Sequence, residues 1–557
     1  MQFFLLKGVL MNWNLVESQN YIKTMETYKI NSLLAKYLDA KVVDFSLYSM
    51  NDSSLHDYKL LNDSKKVMDR IEKAICHNEK IVIYGDYDCD GIMATSILVA
   101  AFEKRGIQVG YHIPNRFIDG YGLNEQRVKQ MHERGYTLII TVDNGVKAFS
   151  AVELANQLGI DVIISDHHDI GKEQPKAYAL LHTMLSPNYP FKEISGGYLA
   201  YKLATQIIGK EDLYLMCLAG ISTISDMMPV WNENRTLIKK TIELLNKYKF
   251  ESISLLLQES KTFNVQAIGF QIAPKINSIG RMVDGLNPNQ CVKYFKTAFS
   301  KNQIEREFKI RFATLAEEIN IKRKDLTNSQ LQLAIKKMQV DKKTIFIYDD
   351  SFHEGIIGLI ASRLTKDYEK PSFVLSYDKD KETYKGSARS INGFDLNTLF
   401  EHLKSQVIAY GGHELAGGFS LQKENIITFS SLIEEEYRQI NGEELSNAKE
   451  TVVIQPEDLT IKNIKELALL EPFGTNNEEP IFCILDVTPL KVETLSNGAH
   501  LKLHFETKDC QYKALFFNQG KRKKEILEKD KLTMIGTLSI NKFRNFETIQ
   551  FILLDIT

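Results

Sequence analysis

The chain has 557 residues, a formal net charge of −2 and 44% hydrophobic residues. It is too long for a single core, so about three domains are expected. The near-zero charge excludes a global field that gathers nucleic acid, so any such contact must come from local basic patches. Six cysteines without a CxxC pair or zinc spacing read as buried thiols of a reducing cytosol.

Residues 1–10, MQFFLLKGVL, are apolar but interrupted by Lys7, and no small-residue cleavage site follows. A signal peptide is therefore not expected, and the ten residues read as an upstream start or a frayed extension before Met11. No stretch approaches the length of a membrane span. From Met11 to about Lys80 the pattern predicts mostly helices, ending in the amphipathic Ser64–His77 stretch.

At Ile81–Gly91, IVIYGDYDCDG, a β-branched run meets Asp86, Asp88 and Asp90, and a helical pattern follows from about Ala94. Taken alone, this is either an acidic helix-capping turn or a site for a hard divalent cation. Two further stretches weigh on that choice. Thr137–Gly145 is a strand ending at Asp143 before Asn144-Gly145, and Asp161–Asp169 is a strand running into Asp166, His167, His168 and Asp169. A fourth acid, Asp226, ends an apolar helix-like run. Strand, acidic loop and helix repeat from about Lys80 to Lys240, which predicts a doubly wound parallel sheet. Ligands of such sheets bind at the carboxyl ends of the strands. Four acid-bearing segments converging there are hard to explain without metal.

Between them, HIPNRFIDGYGLN (His112–Asn124) reads as a loop at the site mouth, or as an ordinary βα turn. From about Lys240 to Val340 the pattern is helical and charged, with a long breaker-poor run over Leu315–Met338. Gln271–Met282, QIAPKINSIGRM, reads locally as a helix cap with a surface arginine. Thr344–Ile347 opens a second α/β lobe. In it, His353–Leu364 is a glycine loop leading into a helix whose amide-rich N-terminus suits phosphate. Lys385–Leu396 and Tyr410–Leu421 follow, the latter with Gly411-Gly412-His413, where backbone can approach a ligand closely. After about Thr451, short alternating strands with one helix suit an OB-fold, a common binder of single strands. Lys502, Lys542, Phe543, Arg544 and Phe546 are its candidate charged and stacking residues, although such aromatics also serve as core.

GDYDCDG, VDNG and SDHH resemble the motifs of the DHH phosphoesterase family, and the chain from about Tyr84 onward is similar to its single-strand-specific DNA exonucleases. The resemblance implies an α/β fold of two lobes, DHH and DHHA1, joined by a long helix, plus a C-terminal OB-fold β-barrel. The expected division is 1–79 helical, 80–240 metal-binding, 241–340 helical connector, 341–445 substrate-binding and 446–557 nucleic-acid-binding. It implies a 5′→3′ exonuclease that hydrolyses phosphodiester bonds with two Mn2+ or Mg2+ ions. Asp143 would bridge the ions. Asp88, Asp90, His167 and Asp226 would complete the ligand sets, with Asp86 beside them and His168 facing the phosphate. Tyr84 departs from the family, standing where many members carry a metal-binding histidine; Asp86 or water would compensate. Arg116, Tyr121, Asn277 and Arg281 would lie along the DNA. Ser387 and Arg389 would hold a terminal 5′ phosphate, with Gly411, Gly412 and His413 completing the cleft. Single-stranded DNA, single-strand binding protein and a helicase are the implied partners of a cytoplasmic, monomeric repair and recombination enzyme without membrane contact. Members with a further C-terminal domain exist, and none is expected here. A small-substrate phosphoesterase generally lacks the OB module, and a non-catalytic scaffold has eroded metal acids, so both readings fit this sequence less well.

Overall fold

The computed structural model describes residues 13–48, 55–257, 262–282, 286–339, 341–440, 449–507, 511–544 and 546–557. The expectation for residues 1–10 lies outside them. The chain forms two units, one of residues 1–55, 229–236 and 446–557, the other of residues 56–228 and 237–445.

The second unit carries the acidic motifs. Its first sheet is wholly parallel, in the order Gly110–His112, Ile81–Tyr84, Leu138–Val142, Asp161–Ser165, Ala179–Leu181. Ile81–Tyr84 and Leu138–Val142 are buried at every position, as expected of strands covered on both faces. Tyr84 pairs with Thr141, and Val142 with Ser165. That register brings the loops after the three strands to one edge of the sheet. Helix Cys89–Lys104 starts from the first of them and is buried from Cys89 to Phe102. Gly196–Ile208 and Leu213–Ser225 pack against it.

A helix of 35 residues, Gln303–Lys337, leads to the second lobe. At 1.5 Å per residue it spans about 50 Å. It begins a dozen residues before the predicted run because Asn302 caps it, accepting from the Glu305 amide at 2.9 Å. The second sheet runs Ala409–Gly412, Ala416–Gln422, Thr383–Arg389, Ser372–Asp378, Ile345–Asp349. It is mixed: only the last two strands pair in parallel. The GGH stretch forms a tight hairpin, with the His413 amide donating to Ala416 O at 2.8 Å, and a hairpin imposes antiparallel pairing.

The first unit is an eight-stranded sheet in the order Trp13–Val16, Lys449–Ile454, Phe482–Val487, Leu532–Phe543, Phe546–Ile556, Gln511–Phe516, His500–Glu506, Lys491–Leu495. Its first strand departs from the sequence reading, which took 1–79 as one helical segment. Trp13–Val16 pairs in parallel with Lys449–Val452, and Leu33, Leu34 and Leu38 of helix Ser32–Lys41 share a core with Val452, Ile454 and Phe482. Four residues whose partner strand lies at the far end of the chain carry no local signal. Residues 229–236 join this unit through buried Arg235, whose guanidinium donates to the carbonyls of Leu469 and Leu470 at 3.1 Å and to that of Glu471. Among the described cysteines, Cys89, Cys217, Cys291 and Cys483 are buried and Cys76 is exposed, on the solvent side of an amphipathic helix end. No helix of the described residues is long and apolar enough to cross a membrane.

Candidate active site

The shared sheet edge gathers the predicted acids. His167 Nε2 lies 3.1 Å from Asp143 Oδ1, 3.5 Å from Asp90 Oδ2 and 3.6 Å from Asp226 Oδ2. Three overlapping sets, Asp86–Asp88–Asp143, Asp90–His167–Asp226 and Asp143–His167–His168, each bring their ligand atoms within 4.8 Å of one another. Asp143 sits at φ 61°, a left-handed conformation that aspartate tolerates better than most residues.

Each acid is held by groups distant in sequence. Asp88 caps helix Cys89–Lys104, accepting from the Gly91 amide at 3.1 Å. Asp90 receives the first amides of helix Gly196–Ile208, from Gly196 at 2.8 Å and Gly197 at 2.7 Å, and the Ser222 hydroxyl. Two glycines are required there: a Cβ on Gly196 would come within 2.6 Å of the Asp143 side chain, and one on Gly197 within 2.4 Å of Ser222 Oγ. Asn277, expected along the DNA, uses its side-chain oxygen to accept from the Cys89 amide at 2.7 Å and so braces the acidic loop.

The two histidines differ in state. His168 Nδ1 lies 2.8 Å from Asp166 Oδ1, and although burial opposes its charge, that bond and the field of Asp166, Asp226 and Asp88 raise its pKa to about 9. Asp166 is buried too, yet the bond and charge of His168 hold it below the usual carboxylate range. His167 goes the other way, since burial lowers its pKa and favours the neutral ring. A neutral imidazole nitrogen is a metal ligand. Behind the pair, His182 Nε2 lies 2.8 Å from the His168 carbonyl oxygen.

The residues present fit divalent cations. Burial, then mutual repulsion, raises the pKa values of Asp143, Asp226, Asp86 and Asp88. Buried Asp86 Oδ1 and Asp143 Oδ1 have no hydrogen-bond partner among the described residues. Such a cluster is costly unless protonated or neutralised by cations, and carboxylates with one imidazole are a donor set for hard or intermediate metals.

A cationic wall belongs to the same unit. Arg281 is pushed down to about 10 by burial and by the charge of Arg116, and the same two causes lower Arg389. The Arg116 guanidinium lies 5.4 Å from the Tyr87 ring centre, and Arg389 Nη1 lies 3.2 Å from Ser387 Oγ. A Cβ built on Gly358, in the first turn of helix Ile357–Tyr368, would stand 3.0 Å from Ser387 Oγ, so the second lobe's helix terminus faces Ser387 and Arg389. His413 follows Gly411-Gly412 and reaches across to the first lobe, its Nδ1 lying 2.5 Å from Asp169 Oδ2. Close backbone approach fixes the turn, since a Cβ on Gly412 would meet Ala416 O at 2.3 Å. In the other unit, Phe546 is exposed at a hairpin end, Lys542 pairs with Glu547 at 3.1 Å, and Phe505 stacks on Tyr512 inside the core. The Phe543 side chain lies outside the described residues.

Family models match three stretches: the DHH family N-terminal domain at residues 80–221, the DHHA1 domain at 336–439 and the RecJ OB domain at 452–555. Across 98% of its length the chain is 31% identical to the single-stranded-DNA-specific exonuclease RecJ of Bacillus subtilis (strain 168), covering 70% of that protein. The chain belongs to the RecJ family. In fold it is similar to RecJ in complex with Mn2+ from Thermus thermophilus, with a TM-score of 0.83 over 98% of this chain and 79% of that one at 22% identity. An exonuclease RecJ bound to manganese matches with a TM-score of 0.59 over 69% of this chain and 96% of that one, at 25% identity.

Within this RecJ-family site, sequence reasoning missed Ser222, Gly196, Gly197 and His182, which support the acids and histidines from outside the motifs. Asp166 stood in a motif that was read, yet its hold on His168 had no signal beyond adjacency. Tyr84 is fully buried in the core with Val82, Leu123 and Val128.

Proposed function

We propose that the chain is a single-stranded-DNA-specific 5′→3′ exonuclease that hydrolyses phosphodiester bonds at a centre of two Mn2+ or Mg2+ ions. The observation that carries the reading is a cluster of five aspartates, of which Asp86, Asp90 and Asp143 are buried, and His167 in one unit with an arginine wall. On this reading Asp86 and Asp88 would hold one ion and Asp90, His167 and Asp226 the other, with Asp143 serving both. Such ions, when bound, supply Lewis acidity to the phosphodiester and the attacking water.

The chain's own groups do the rest. His167, whose pKa burial lowers, offers a lone pair, and His168, held by Asp166 at 2.8 Å, faces the phosphate. Arg116, Arg281 and Tyr121 line the path of the strand. Ser387, Arg389 and the first turn of helix Ile357–Tyr368 receive a terminal 5′ phosphate. A terminal-phosphate pocket at a set distance from the ions makes the enzyme act from the end and fixes its polarity. The His413–Asp169 contact joins the two lobes, and on this reading the cleft between them refuses duplex. We further infer a cytoplasmic monomer in DNA repair and recombination that works with single-strand binding protein and a helicase.

The test is digestion of long strands labelled at either end, with Mn2+, Mg2+ or EDTA, beside duplex and 5′-blocked controls. Metal-dependent release of nucleotides from the 5′ end with duplex spared is the expected result. Survival of long strands while di- to pentanucleotides are cleaved would replace it with a small-substrate phosphoesterase. No cleavage of either, with metal bound, would point to a scaffold.

A further inference from the structure

The loop at the site mouth is tied to the sheet through a residue that no motif explains. Tyr84 ends strand Ile81–Tyr84 after Ile81, Val82 and Ile83, and its side chain is fully buried. A buried hydroxyl costs free energy unless it is hydrogen-bonded. Its hydroxyl donates to the Gly122 carbonyl at 3.1 Å, across 38 residues. Gly120 and Gly122 both adopt left-handed backbone, at φ 75° and 73°, so Tyr121 stands at the tip of a turn that only glycines form easily. From that tip the Tyr121 hydroxyl lies 3.1 Å from His168 Nε2 and donates to the Asp143 carbonyl at 3.4 Å. Asn144, beside Asp143, donates back to the Tyr84 carbonyl at 3.2 Å. The path from Tyr84 through Gly122 and Tyr121 to His168 is thus closed by Asn144.

We infer that Tyr84 is a positioning residue: its hydroxyl anchors the Gly120–Gly122 turn and thereby holds Tyr121 against His168. The inference rests on the nuclease reading for its kinetic consequence, but the anchor itself is a property of the fold.

Tyr84→Phe removes one oxygen and keeps the ring in the core. Relative to wild type, kcat/KM on a single-stranded oligonucleotide should fall about fivefold, the effect of losing one ordinary hydrogen bond. Half-saturation by Mn2+ should move less than twofold. Tyr121→Phe should give a similar loss, and the double variant should lose little more than either single one, because the two act in one path. Amide hydrogen exchange at residues 120–124 should quicken about fivefold in Tyr84→Phe, with strand Leu138–Val142 unchanged. An unchanged kcat/KM with only a lowered Tm would reduce Tyr84 to packing and overturn the inference. So would additive losses in the double variant, or a weakened Mn2+ dependence, which would make Tyr84 part of the metal set. If the wild-type chain cut no strand, the nuclease reading would fail, and hydrogen exchange would still decide whether Tyr84 holds the loop. Should Tyr84→Phe not fold, Tyr121→Phe with exchange at residues 120–124 tests the other end: the turn should stay protected, because its anchor at Gly122 is intact, and loss of protection would contradict the inference.

Discussion

Asp90 shows how much of the site is built by groups that carry no chemistry themselves. Both of its oxygens are engaged by helix amides and by the Ser222 hydroxyl, so it reaches His167 in one fixed orientation. Groups that orient a metal ligand are typically worth 10- to 100-fold in metal affinity or activity. Ser222→Ala should therefore weaken Mn2+ binding by about 10- to 100-fold in a calorimetric titration while leaving the circular dichroism spectrum unchanged. An unchanged affinity would show that the Gly196 and Gly197 amides suffice. At this scale the sequence was legible where chemistry is written in short runs: Asp86, Asp88 and Asp90 follow one strand, and His167 and His168 another. Ser222 and Asn277 were not legible as braces, because a serine inside an apolar helix and an asparagine in a basic one look ordinary until folding brings them to Asp90 and Cys89.

Helix Gly196–Ile208 acts as an element, with its N-terminal amides and dipole aimed at a buried carboxylate. Close approach is a condition of that arrangement. Gly196→Ala would drive a methyl into Asp143, and overpacking of this kind costs about 1–3 kcal/mol. The variant should show a Tm lower by several degrees together with loss of metal-dependent cleavage, whereas a stable and fully active variant would deny the close packing. The parallel sheet of this lobe was legible because its strands are continuous apolar runs separated by helical segments. The second sheet was foreseen only as α/β, and its antiparallel half depends on a hairpin turn that glycines permit but do not announce. Strand Trp13–Val16 was invisible, because its pairing depends wholly on a partner from the other end of the chain.

Across the whole molecule, the acids link stability to pH and metal. Asp86, Asp88, Asp143 and Asp226 have pKa values raised first by burial and then by one another. A group whose pKa is raised on folding stabilises the native state below its unfolded value and loses that contribution as pH climbs through its folded one. His168, raised to about 9, acts in the same sense between its ordinary value near 6.5 and 9. Burial lowers the pKa values of His167, His182 and His112, which act in the opposite sense up to their ordinary value of about 6.5. Above that value the chelated protein should therefore have a lower Tm at about pH 9 than at about pH 7.5. Mn2+ should reverse the trend, adding about 2.7 kcal/mol at a hundredfold excess over Kd. A Tm that rises over that range in EDTA would contradict this linkage.

The central claim is that these carboxylates form a centre for two divalent ions with Asp143 shared between them. The most direct measurement is equilibrium Mn2+ binding to the wild-type chain and to Asp143→Ala, read as ions bound per chain. Two ions bound by the wild type, and at most one, with no measurable nuclease activity, in the variant, is the result the structure predicts. Equal stoichiometry and equal activity in the two proteins, or no Mn2+ bound by the wild type, would contradict it.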